Sequence, residues 1–379
     1  MSEREELYMN VPLIGVEDWL NVHEKSATVD IAQSTIASMT TAELLELDGG
    51  KDFYEQLNAE KQNYGWIEGS PAFKAEVAKL YERDIDPSCI LQTNGCTGAN
   101  LLAIMALVNP GDHVIAEYPT YQPLYDIPRM LGAEVEYWRI HEDLGWQPDI
   151  EELRVLVRPN TKLICINNAS NPLGSVLDRT MLQQVVDIAA EVGAYVLSDE
   201  VYMPLDGTDY ASIVDLYDRG IVTNSLSKTY SVPGIRVGWT VSNVQVAEEI
   251  RKWRDYTMIC GGVFSDAMAV HVLRNRETIL ARNREIIERN RAIVQGWIDN
   301  EPRVSWVAPQ GISVSYIELD IPVDDETFCL DLLDRYGVLL VPGSRFDLPC
   351  GARLGYCAHE ETLREGLALL SQALREFDD

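Results

Sequence analysis

No C-x-x-C pair occurs among the seven cysteines of this 379-residue chain, which stand apart at 89, 96, 165, 260, 329, 350 and 357. An odd, scattered set argues against a disulfide framework and suits a reducing cytoplasm. There is no H-E-x-x-H, and the five histidines show no ligand spacing, so no catalytic metal is expected. Apolar runs fall short of the roughly 20 residues needed to span a bilayer. The opening "MSEREELYMN" has no apolar core and does not read as a signal peptide. Basic residues are scarce, 31 against 60 acidic, and the net charge of −29 would repel nucleic acids and anionic membranes. Internal repeats and low-complexity tracts are lacking too.

What is present is a large apolar fraction, 46%, in a chain long enough for two domains. Between about residues 86 and 240, apolar runs alternate with stretches of helical period. "HVIAEYP" (113–119), "KLICINN" (162–168), "AYVLSDEVY" (194–202) and "GIVTNSLS" (220–227) read as buried strands. "GANLLAIMALV" (98–108) and "RTMLQQVVDIAAEVG" (179–193) read as helices, the second stopped by Gly193. This order predicts an α/β fold, a mostly parallel central sheet sandwiched by helices. Long charged helices follow ("AEEIRKWRDY", "ETILARNREIIERNRAIVQGWID"), then short strands ("GISVSYIEL", "ARLGYC") among helices, a smaller α+β domain. The expected division is a large domain over 46–265 and a small one from 1–45 with 266–379.

In such sheets ligands gather beyond the carboxyl ends of the strands. Four clusters sit there. "NPLG" (171–174) follows one strand, "DEVY" (199–202) another and Lys228 a third, while "NGCTGAN" opens the early helix. A phosphate could rest on the N–H groups of Gly95, Cys96 and Thr97, with Ser225 and Arg236 closing around it. Ser227 either joins that grip or simply packs, and the Cys96 thiol reads as packing. Lys228 could then reach an aldehyde on the same ligand. Asp199 could pair with a pyridinium nitrogen, Tyr202 and Asn171 could donate to a ring phenolate, and Tyr121 could stack on the ring. Pyridoxal phosphate has those parts.

The order N-P-x-G, D-x-x-Y and S-x-S-K-x-x-x-x-P-G-x-R-x-G resembles the fold-type I pyridoxal-phosphate enzymes of the aspartate aminotransferase family, from about Tyr64 to Arg353. The resemblance implies an aminotransferase moving an amino group between an L-amino acid and a 2-oxo acid, with Lys228 as Schiff-base lysine and proton carrier. It implies Arg353, with Asn171, at the substrate carboxylate, and a homodimer with shared active sites in which Tyr64 reaches the neighbouring subunit's cofactor phosphate. Arg345 is read as a surface residue rather than a second substrate clamp, and Asp30 as an acid too common to interpret.

Two features depart from the pattern. Ala169 and Leu173 in "NNASNPLG" replace the customary proline and threonine, and "VDIAQSTIASMTTAELLEL" carries hydroxyls where a glycine strip is usual. The latter is similar to a branch that includes capreomycidine synthase. That branch implies an alternative, elimination, replacement or cyclisation on an arginine-like substrate with the same cofactor.

Overall fold

A computed structural model describes residues 11–377; the opening stretch discussed above, residues 1–10, lies outside them. After a short β1 (Val29–Asp30), the chain forms β2 (Ile90–Thr93), β3 (His113–Tyr118), β4 (Glu134–His141), β5 (Gln147–Pro148), β6 (Thr161–Asn167), β7 (Tyr195–Asp199), β8 (Gly220–Ser225) and β9 (Gly238–Val241). β2 to β9 make one eight-stranded sheet, ordered β2-β9-β8-β7-β6-β3-β4-β5. β8, β7, β6, β3 and β4 are parallel neighbours. β9 runs antiparallel to both β8 and β2, so β2 points the same way as the parallel set. The sheet is therefore mixed at its margins, where β5 also pairs antiparallel to β4.

The helices form where caps and period demand. Asp178 accepts from the Met181 amide (2.8 Å) to start helix Arg179–Val192, and Gly193 ends it at φ +71°. Its Leu182, Val185, Val186 and Ala189 are buried on one face. Each of the leucine and valine side chains stabilises by about 1.5–3 kcal/mol relative to exposure. Helix Gly95–Leu107 is apolar on most of its surface and buries Ala99, Leu102, Ala103 and Ile104. It begins three residues earlier than its apolar run, at the glycine turn.

A second core joins residues from both ends of the chain. Val16, Trp19, Ile31 and Ile36 pack with Ile287, Leu332, Leu354 and Leu370. The Trp19 indole donates to the Leu340 carbonyl (2.9 Å). Here β10 (Val304–Trp306), β11 (Ser315–Leu319), β13 (Val341–Pro342) and β14 (Gly351–Leu354) form an antiparallel sheet ordered β10-β11-β14-β13, while β12 (Val338–Leu339) pairs with β1. The strands expected at 311–319 and 352–357 are shorter than their apolar runs. The first starts only after Gly311, whose φ of +67° bends the chain. No helix among the described residues is long and apolar enough to cross a membrane.

Candidate active site

Because β2, β6, β7 and β8 run in one sense, their carboxyl ends meet at one edge of the sheet. A cavity of about 460 Å³ opens there, lined by Cys96, Thr97, Tyr121, Asn171, Asp199, Tyr202, Ser225, Ser227, Lys228, Arg236 and Arg353. Eleven residues anticipated from the sequence thus share one chamber.

Its anion cradle is built by close backbone approach. Gly95 opens the helix at φ +68°, and a Cβ on it would lie 2.5 Å from Nη2 of Arg236. Only glycine lets that guanidinium sit against the helix N-terminus, where amides and positive dipole already favour an anion. Arg236 is held by its Nη1, which donates to the Pro233 carbonyl (2.9 Å) and to Oγ of Ser227 (3.4 Å). Ser227 in turn donates its amide to Oγ of Ser225 (3.2 Å), so both serines border the cradle.

Lys228 faces the cavity, and its Nζ donates to Oγ of Ser34 (2.6 Å). Burial, with Arg353 next, pulls its pKa down to about 8. Asp199, 1% exposed, accepts from Nδ2 of Asn100 (2.6 Å), Sγ of Cys96 (3.2 Å) and the Val201 amide (3.1 Å). Burial pushes this carboxyl up, and those donors oppose the shift. The Cys96 thiol is therefore more than packing. Burial and the Asp199 charge raise its pKa well above the ordinary range, which keeps it an S–H donor. Tyr202 is pushed up to about 12 by burial and stays a phenol.

Arg353, on β14, is 2% exposed. It donates from Nη1 to Oδ1 of Asn171 (3.2 Å) and from Nη2 to the Ala32 carbonyl (3.0 Å), but its Nε has no partner among the described residues. A buried guanidinium with an unpaired donor, in a cavity wall, is suited to an anion. Tyr121 meets Thr97 through their hydroxyls at 3.0 Å. Tyr64 lies elsewhere, in the loop before helix Pro71–Ala78, and is 88% exposed. Arg345 does not line the cavity: partly exposed, it pairs with Asp18 (3.0 Å) and Glu326 (2.7 Å), tying helix Gly15–His23 to helix Asp325–Tyr336. Of the two departures, the replacements at Ala169 and Leu173 are packing positions, whereas the hydroxyl-rich strip brings Ser34 to Lys228. Leu173 joins Trp146 and Tyr316, and Ala169 lies against Cys96 and Tyr202.

Sequence reasoning missed Asn100, Ser34 and the N-terminal wall. Asn100 had a signal: a polar residue one turn beyond Cys96 in an otherwise apolar helix. Asp30, passed over above, lines the cavity, as do Glu17 and Glu24. The amine, cradle, buried carboxylate, phenol and buried guanidinium together fit the parts of pyridoxal phosphate and an amino-acid carboxylate.

Comparisons with known proteins agree. The family model for aminotransferase class I and II matches residues 35–370. A crystal structure of a PLP-dependent aminotransferase from Streptococcus suis 89-1591 superposes with a TM-score of 0.95 at 56% identity, covering 98% of this chain and 100% of that one. An aspartate aminotransferase of Thermotoga maritima is 32% identical over 295 residues, 77% of each chain. Capreomycidine synthase of Streptomyces vinaceus is 28% identical over 367 residues, 96% of this chain and 94% of its own.

Proposed function

Because this chain belongs to the aminotransferase class I and II family, we propose that the cavity around Lys228 is its catalytic site and that Arg353 orients the substrate there. The protein is a pyridoxal-phosphate-dependent aminotransferase acting on amino-acid and oxo-acid substrates. Bound pyridoxal phosphate supplies an electron sink for the charge left when a Cα proton departs. Gly95, Cys96 and Thr97 amides, Ser225, Ser227 and Arg236 would hold its phosphate. Asp199 would meet the ring nitrogen, Tyr202 and Asn171 the ring oxygen, and Tyr121 a ring face.

The chain's own groups then divide the work. Arg353, buried in the cavity wall with hydrogen-bonding capacity unspent, binds the substrate carboxylate and fixes the direction of the Cα–H bond. Lys228, with its amine near a pKa of 8, takes the Cα proton and returns it to the other end of the system. Alternating amino and oxo acids give ping-pong kinetics. One observation carries this reading: Lys228, Asp199 and a buried Arg353 with an unpaired donor line one cavity. In the test, the wild type shows a cofactor band near the visible edge that borohydride removes, and Lys228→Ala never shows it. Purified protein that binds no pyridoxal phosphate even after soaking would overturn the assignment.

A homodimer completes the proposal. Tyr64 (88% exposed), Trp66 (60%), Ile67 (60%), Tyr256 (86%) and Ile259 (57%) are an unusual concentration of bare apolar side chains, suited to burial against a second copy. Tyr64 would reach the partner's phosphate from that surface. A second reading, elimination or cyclisation, is favoured by the likeness to capreomycidine synthase over 96% of the chain, N-terminal segment included. Pyridoxamine phosphate accumulating in single turnover supports transamination; ammonia released without an oxo-acid acceptor supports the other.

A further inference from the structure

The cavity has a second wall that the chemistry above does not use. Helix Gly15–His23 and the turn after it send Val16, Glu17, Leu20 and Glu24 to the cavity, positions i, i+1, i+4 and i+8 on one stripe, and β1 adds Asp30. Acidic residues elsewhere on this chain repeatedly find cations. Asp18, next to Glu17, pairs with Arg345, Asp206 with Arg291, and Glu68 with Lys74 and Arg251.

The three wall carboxylates have no such partner among the described residues. Glu17 makes no hydrogen bond, Glu24 accepts only from Gln33 (3.2 Å), and Asp30 accepts only from the Ala32 amide (2.9 Å). The cavity's own cations are already committed, Lys228 and Arg236 to the cofactor end and Arg353 to the substrate carboxylate. Arg353, 2% exposed with an unpartnered Nε, is an independent sign that a ligand enters this chamber with its carboxylate at that end. Beside it lie a short apolar surface, Val16 and Leu20, and three carboxylates that make no ion pair among the described residues, although Glu17 and Asp30 are near enough to Arg353, and Glu17 to Lys228, to favour the charged forms of those cations.

We infer that the substrate is an α-amino acid with an alkyl side chain ending in a cation, an ammonium or a guanidinium, held by Glu17, Glu24 and Asp30. This rests on the aminotransferase reading of the site. The alkyl stem packs on Val16 and Leu20, and the charged end meets the carboxylates. Asp30, half-buried, is less screened than exposed Glu17 and contributes more. A substrate with a distal carboxylate finds no free cation among the described residues there and is repelled.

The test is a screen of L-amino acids on the holoenzyme, followed at the cofactor absorbance band, with arginine, lysine, citrulline, norleucine and aspartate as the deciding set. Arginine or lysine should exceed norleucine in kcat/KM, and citrulline, which keeps the shape of arginine without its charge, should fall about ten- to a hundredfold below it. Which of arginine and lysine leads tells guanidinium from ammonium. Asp30→Asn should lower the ratio of cationic to norleucine kcat/KM about tenfold or more, with Glu17→Gln doing less. Preference for norleucine or aspartate, or a ratio untouched by both substitutions, overturns the inference and leaves the aminotransferase reading intact. A band that answers to no amino acid removes both.

Discussion

Asn100 is the residue on which the electrostatics of Asp199 turn. An ionised carboxylate only accepts, so the amide nitrogen of Asn100 must face Asp199, and its Oδ1 accepts from Oγ1 of Thr223 (2.5 Å). The side chain is fully buried, and the orientation is locked from both sides. Asn100→Leu keeps the volume and removes both bonds. A hydrogen bond to a charged group contributes about 1.5–3 kcal/mol, a factor of roughly ten to a hundred. The Cys96 thiol and the Val201 amide remain, but a thiol at 3.2 Å is a weak donor. Burial then raises the Asp199 carboxyl further, and less of it is ionised at a given pH. The expected result is weaker pyridoxal phosphate binding, about ten- to a hundredfold by equilibrium titration, and an acid limb of the kcat profile displaced to higher pH. Thr223→Val, which only unlocks the amide, should move both in the same direction by less. A folded Asn100→Leu protein with unchanged cofactor affinity and an unmoved acid limb would refute the reasoning.

Three further outcomes follow from the geometry. Gly95→Ala puts a Cβ 2.5 Å from the Arg236 guanidinium at φ +68°, so affinity for pyridoxal phosphate should fall at least about tenfold, measured by dialysis and titration. Arg353→Lys replaces a planar fork by a point charge and should raise KM for the amino acid about ten- to a hundredfold; an unchanged KM would take Arg353 out of the carboxylate site. In cofactor-free protein, Lys228 has a folded pKa of about 8 against an ordinary 10.5, so the unfolded chain holds more protons between those values and stability rises with pH across them. Lys228→Met should therefore stabilise the cofactor-free protein most below pH 8 and cease to do so above 10.5, in denaturant melts at each pH.

The strands that carry the site were legible because a parallel strand buried on both faces is written as an unbroken apolar run, as in β3, β6 and β7. Lys228, Asp199, Tyr202 and Arg236 were legible because each stands a fixed step beyond such a run. β2 and β9 are only four residues long and lack that signature. The hydrogen bond of Ser34 to Lys228 spans 194 positions, and that of Arg353 to the Ala32 carbonyl spans 321. No local pattern announces a contact made by chain return, which is why the acidic wall stayed invisible and Asp30 looked like one acid among sixty. The pair Arg345–Asp18, 327 positions apart, was hidden for the same reason.

The fitting of Glu17, Glu24 and Asp30 to one wall, and of Lys228, Asp199 and Arg236 to the facing sheet edge, places appetite and reactivity on separate stretches of polypeptide. Substitutions at Glu17, Glu24 and Asp30 can retune which metabolite is admitted while Ser34 and the Ala32 carbonyl, which hold Lys228 and Arg353, stay in place. Such a layout is modular in the engineer's sense: transplanting that leading arm between homologues should carry selectivity with it.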